Sequence, residues 1–154
     1  MNRAVTKLTF KMIKKEFKLV GLKGSGEYEN FGSEVPLLAK RLLSRLSEID
    51  FPTESEIALY EPKKSDDHTM GNFYVGLIVR ERVIKIPAGM DYLETNNHYI
   101  TTRGNIMELD KLHENLLNWG TVQGYKRDLD SYIIETYHPV SEGEEVEIYL
   151  PIIS

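Results

Sequence analysis

Tyr132-Ile133-Ile134-Glu135-Thr136-Tyr137 and Val146-Glu147-Ile148-Tyr149-Leu150-Pro151-Ile152 decide how this chain is read. Both runs are rich in β-branched and aromatic residues, and a polar, glycine-containing turn from Ser141 to Glu145 separates them, so they predict two strands. On a strand, Ile133, Glu135 and Tyr137 share one face, and Tyr132, Ile134 and Thr136 share the other. An acid among apolar neighbours is costly to bury without a partner. Glu135 is therefore either a ligand-facing carboxylate or one half of a salt bridge with a nearby Lys or Arg.

Working outward, the rest of the chain falls into a repeated order. Thr6 to Leu22 predicts extended structure, closed by a turn at Lys23-Gly24-Ser25-Gly26. Ser33-Glu34-Val35-Pro36 predicts a helix start with Ser33 as N-cap. Val35, Leu38, Leu42 and Leu46 follow at helical spacing. Ile57 to Tyr60, Asn72 to Val79 and, weakly, Val83 to Ile86 read as strands, with a charged loop from Pro62 to Gly71. His98 to Thr102 then predicts a strand and Arg103-Gly104 a turn. Leu109, Leu112, Leu116 and Trp119 form a second helical stripe that Gly120 and Gly124 end, and the two closing strands complete the chain. The turns at Lys23 and Arg103 lie 80 positions apart (103 − 23).

We expect an α+β fold in which two pseudo-symmetric strand–helix–strand–strand repeats, about 6–82 and about 83–154, share one curved antiparallel sheet with two helices and a central cleft. Neither half has apolar faces enough for a core alone, so residues 1–154 are expected to form one domain. Identity between the halves is poor, and an unduplicated α+β domain also accommodates the pattern.

Composition narrows the function. A net charge of −5 argues against a nucleic-acid surface, which needs clustered Lys and Arg. The absence of cysteine excludes disulfides and thiol chemistry and fits a reducing compartment. No apolar run is long enough for a signal peptide or membrane span, so a cytoplasmic protein is the simplest expectation. Asp66-Asp67 and Glu144-Glu145 sit in polar turns. His68, His98, His113 and His138 show no short metal-ligand spacing. Lys23-Gly24-Ser25-Gly26 has neither a dinucleotide nor a P-loop fingerprint. No metal, cofactor or nucleophilic triad is expected.

The aromatic residues suit another chemistry. Tyr60, Tyr74, Trp119 and Tyr137 all fall on expected elements, although each taken alone reads as core, Trp119 most clearly because it lies on a helical apolar stripe. Gly76 leaves room beside Tyr74 for a neighbour or a ligand. Aromatic walls around one carboxylate can hold a flat hydrophobic cation by stacking, cation–π attraction and countercharge.

Taken in order, Phe17-Lys18-Leu19-Val20-Gly21-Leu22, Tyr60, Phe73-Tyr74-Val75-Gly76-Leu77, Ile86-Pro87-Ala88-Gly89, Tyr99 before Gly104, Leu116-Leu117-Asn118-Trp119, Glu135-Thr136-Tyr137 and Val146 to Ile152 form a series. This series resembles the gyrase-inhibitor-like small-molecule-binding domain, also called the bacterial transcription activator effector-binding domain, from about Phe10 to Ile152. The resemblance implies two repeats around a cleft that binds hydrophobic, often cationic compounds over a buried glutamate. Glu135 matches that glutamate and Tyr137 the aromatic after it; Tyr60 and Tyr74 match pocket-lining positions, and Trp119 is a further wall candidate. Two positions depart from the family. Leu37-Leu38 stand where the first helix usually carries tryptophan, and Glu61 replaces the usual glycine after Tyr60, placing a second negative charge at the pocket mouth. With no room for a DNA-binding domain before Thr6, the chain resembles stand-alone members. Some of these bind or sequester drugs or sense them through a partner. Others hydrolyse the cyclopropane ring of alkylating antibiotics, which would make Glu135 and Tyr137 catalytic, and others inhibit gyrase by protein contact.

Overall fold

The computed structural model describes residues 9–154. Six strands and two α-helices follow one another as β1 (Lys11–Glu27), α1 (Phe31–Leu43), β2 (Glu56–Tyr60), β3 (Met70–Ile78), β4 (Asp91–Asn105), α2 (Leu109–Gln123), β5 (Ile133–Val140) and β6 (Gly143–Ile152). Strand–helix–strand–strand thus occurs twice. All pairings are antiparallel, and the order β1-β3-β2-β5-β6-β4 closes on itself through β1–β4. The expected curved sheet curls into a barrel.

Alternation along the strands builds two layers. Phe17, Leu19, Ile57, Leu59, Tyr74, Tyr99, Ile134 and Tyr149 come from all six strands and pack together inside the barrel. Phe17 meets the edges of Tyr149 and Tyr99 at centroid distances of 5.0 and 5.9 Å, a favoured aromatic geometry. The outward residues meet the helices. Val20, Leu22, Phe73 and Val75 lie under Leu38 and Leu42 of α1. Ile100, Val146, Ile148 and Leu150 lie under Leu112 and Leu116 of α2. Helix α1 rides on β1 and β3, and α2 on β4 and β6. The outer face of β2 and β5 lies between the strands that carry α1 and those that carry α2.

Several boundaries differ from the sequence reading, each for a physical reason. The expected strand start at Thr6 lies outside the described residues. Lys23 to Gly26 is not a turn: these residues continue β1 and pair with Tyr74 to Gly71. Gly24 is small because α1 crosses there; a Cβ would stand 2.5 Å from the Phe73 ring and 3.2 Å from Leu38 Cδ2. Arg103-Gly104 likewise continues β4, and a Cβ on Gly104 would meet Leu112 at 2.7 Å. The repeat offset in β1 and β4 is 78 rather than 80, since Lys23 pairs with Tyr74 as Thr101 pairs with Tyr149 (101 − 23).

Helix α1 begins before Ser33. Tyr28–Asn30 forms a 3₁₀ turn, Asn30 takes the cap position, and Ser33 Oγ donates back to the Asn30 carbonyl at 3.1 Å. Val83 to Ile86 is loop rather than strand, with Val83 and Ile86 tucked against the α1 layer. Gly124 ends α2 with a left-handed φ of 84°, a conformation glycine adopts freely. Gly120 does not end it, but lies buried inside the helix where a Cβ would strike Ile100 Cδ1 at 2.5 Å.

Candidate functional site

On β5, Ile134 points into the barrel, so Glu135 points outward, to the helix side of the sheet. Ala58 is its cross-strand neighbour on β2, across the seam between the repeats. Glu135 is only 4% exposed. Its charge is met from three sides. Tyr137 OH donates to Oε1 at 2.6 Å, and Tyr60 OH reaches the same oxygen at 3.1 Å. The two hydroxyl oxygens are 3.1 Å apart. His113 Nε2, on α2, stands 2.6 Å from Oε2. Hydrogen bonds of this kind are what make a buried carboxylate tolerable.

The tyrosines are tuned to donate. Burial first, and then the Glu135 charge, push the Tyr60 hydroxyl well above the usual phenol range. Burial, the neighbouring Tyr60 and Glu135 do the same for Tyr137. Both hydroxyls therefore keep their protons over the Glu135 carboxylate throughout the neutral range. On the α1 side, the Phe31 ring lies 6.1 Å from Tyr60 and 5.0 Å from Phe73, and Tyr28 lies 4.9 Å from Phe31. An aromatic path thus leads from the outside of α1 to the carboxylate.

The structure brings Glu135, Tyr137 and Tyr60 together and leaves two sequence candidates apart. Tyr74 is inside the barrel, edge-on to Tyr132 at 6.0 Å. Gly76 beside it makes room for the β1 backbone, since a Cβ would stand 2.5 Å from the Val20 carbonyl oxygen. Trp119 lies in the apolar layer of α2, stacked on Phe10 at 5.6 Å and near Tyr125 at 5.9 Å. Glu61 is tied down: Oε1 accepts from the Asn72 amide at 2.9 Å, and Oε2 pairs with His68 at 3.2 Å. Leu37, one of the two leucines read as departing from the family pattern, is 64% exposed.

Sequence reasoning missed His113 and Phe31. His113 borders the Leu109, Leu112 and Leu116 stripe, and its place one residue after a core leucine, on the helix expected to cover the second repeat, was the available signal. Phe31 precedes the expected helix start and so fell on no element. The partner of Glu135 is a histidine, not a Lys or Arg; among the described residues its one ion pair is with His113. No group of three or more potential metal ligands occurs among the described residues, nor does any helix long and apolar enough to cross a membrane.

No family model matches the chain, and no curated protein matches it. Solved structures do. The structure of SAV2435 bound to tetraphenylphosphonium matches with a TM-score of 0.68 at 12% identity, over 97% of this chain and 95% of that one. The EcmrR C-terminal domain matches with a TM-score of 0.64 at 12% identity, over 96% and 98%. The chain has the fold of the gyrase-inhibitor-like effector-binding domain. A hydrolase from Listeria innocua shares this GyrI-like fold, with a TM-score of 0.62 at 11% identity over 94% and 91% of the two chains. At these identities the likeness is one of fold.

Proposed function

We propose that the protein binds planar hydrophobic cations over Glu135, between α1 and α2, as a drug-sensing or sequestering protein of the cytoplasm. The observation that carries this reading is Glu135: a 4% exposed carboxylate on the outer face of the sheet between the two helices, without a Lys or Arg partner among the described residues and capped by tyrosines. A fixed buried charge with aromatic neighbours favours a diffuse cation over a neutral compound of the same shape. SAV2435, which has this fold, is bound to tetraphenylphosphonium, and a phosphonium is a hydrophobic cation. Tyr60 and Tyr137 orient the carboxylate, and Phe31 forms the wall on the α1 side. Tyr74 supports the floor from inside the barrel, and Trp119 supports α2 from behind.

Fluorescence titration with ethidium tests the reading. Wild type binds, and Glu135→Gln binds about tenfold more weakly or worse, the loss expected when a charge-assisted contact becomes neutral. A neutral aromatic probe should change little. Equal ethidium affinity of the two proteins removes the countercharge role.

A second reading is favoured by the Glu135–His113 contact of 2.6 Å, a carboxylate–imidazole pair able to accept a proton from water. In a hydrolase of strained cyclopropane rings, water oxygen would bond to a ring carbon as the C–C bond breaks. The pair would take the water proton, and Tyr137 would protonate the leaving carbon's conjugated oxygen. Mass analysis of a cyclopropane alkylator incubated with the protein decides this reading; product at the buffer rate alone excludes it.

A further inference from the structure

The carboxylate of Glu135 is shared unequally. Oε1 takes both tyrosine hydroxyls, while Oε2 takes His113 alone. The tyrosines stand on β2 and β5 beside Glu135, held by the barrel's own ladders. His113 comes from α2 rather than from the sheet, and its side chain is 26% exposed. Its other ring nitrogen has no protein hydrogen-bond partner among the described residues, whereas an imidazole built to stay in place is usually anchored at both nitrogens.

The repeat shows that the fold does not require a histidine there. Helices α1 and α2 begin at Phe31 and Leu109, an offset of 78 (109 − 31). Val35 therefore holds the place in α1 that His113 holds in α2, and it packs as an ordinary apolar residue. Leu59 and Ile134 are equivalent, each facing a buried tyrosine across the ladder. The next residues, Tyr60 and Glu135, are equivalent too. The acid and the histidine thus occur together in one repeat, at positions where the other has a tyrosine and a valine.

We propose that His113 is the site's built-in stand-in cation: it occupies Oε2 of Glu135 in the unliganded protein, and a cationic ligand binds by exchanging with it. The idea rests on the cation-binding reading above and adds the residue that sets affinity and its pH response. A ligand must forfeit the His113 contact, and a protonated imidazole holds Oε2 more firmly than a neutral one. Glu135 of β5 is the one carboxylate within 4.0 Å of the His113 ring nitrogens among the described residues. Tyr137 of β5 and Tyr60 of β2 complete the facing titratable set. On its own helix, Asp110 lies one turn earlier and Glu114 is adjacent.

The test is ethidium affinity, a permanent cation, at pH 8.5 and pH 5.5, the span over which imidazoles take up a proton. Wild type should bind more weakly at the lower pH. His113→Val, copying the residue of the first repeat, should bind about tenfold more tightly at pH 5.5 than wild type and should lose most of the pH response. His113→Gln keeps a neutral donor and serves if the valine variant folds poorly; it too should lose the pH response. Unchanged affinity and an unchanged pH response in a folded variant overturn the stand-in role and leave the cation site intact. Binding by His113→Val but not by wild type is the strongest supporting result. Binding by neither at either pH overturns the cation-site reading itself.

Discussion

Tyr60 and Tyr137 hold their hydroxyl protons against Glu135, and this has a consequence for stability. Both phenols are raised in the folded protein, by burial first and then by neighbouring groups. Tyrosines of the unfolded chain ionise at about pH 10. Above that pH the unfolded state gives up protons that the folded state keeps, so stability falls as pH rises. Below it the contribution is fully present. Denaturant midpoints should therefore drop between about pH 9.5 and 11. Tyr137→Phe should flatten that slope while costing about 1–3 kcal/mol at neutral pH, because it leaves a buried carboxylate oxygen short of a donor. Urea titrations of wild type and variant at several pH values check both; parallel slopes would disprove the assignment.

Within the elements, the glycines of β1 show where helix packing overrides a local signal. Gly24→Ala should destabilise by about 1–3 kcal/mol, because the new methyl meets Phe73 and Leu38. Gly26→Ala, two residues on, has nothing within 4 Å and should stay within about 0.5 kcal/mol of wild type. Urea midpoints at constant slope compare them; equal effects would mean that crowding under α1 is not what selects glycine at position 24. The same contrast explains what was legible in the chain. Period-two alternation placed Glu135 and Tyr137 on one face of a strand, and the leucine stripes located both helices. Lys23 to Gly26 misled because two glycines and a serine look alike in a turn and in a strand crossed by a helix. His113 stayed hidden because its importance lies in a helix-to-strand pairing that no local period encodes.

For the whole molecule, the joins between repeats matter most. Repeat one meets repeat two along β1–β4 and β2–β5, and the barrel core draws on strands from both. A fragment of residues 1–88 should therefore show no cooperative thermal transition by circular dichroism, whereas the full chain should show one; a cooperative melt of the fragment would mean that the half folds alone. The Tyr60 bond to Glu135 crosses one of these joins, which places the candidate site on the line where the halves meet. Sequence pattern revealed the duplication but not the closure, because curvature accumulates over pairings between residues far apart in the chain.

Closure also removes the exposed rows of backbone amides that an open sheet presents at its margins. A 17-residue strand such as β1 would otherwise be a long template for pairing with another chain. Here β4 takes one part of its length and β3 the other. That protection is all-or-none: opening either join exposes two margins at once. Self-association of this protein is thereby coupled to breaking the ring, and conditions that loosen the β1–β4 or β2–β5 join are those in which aggregation begins.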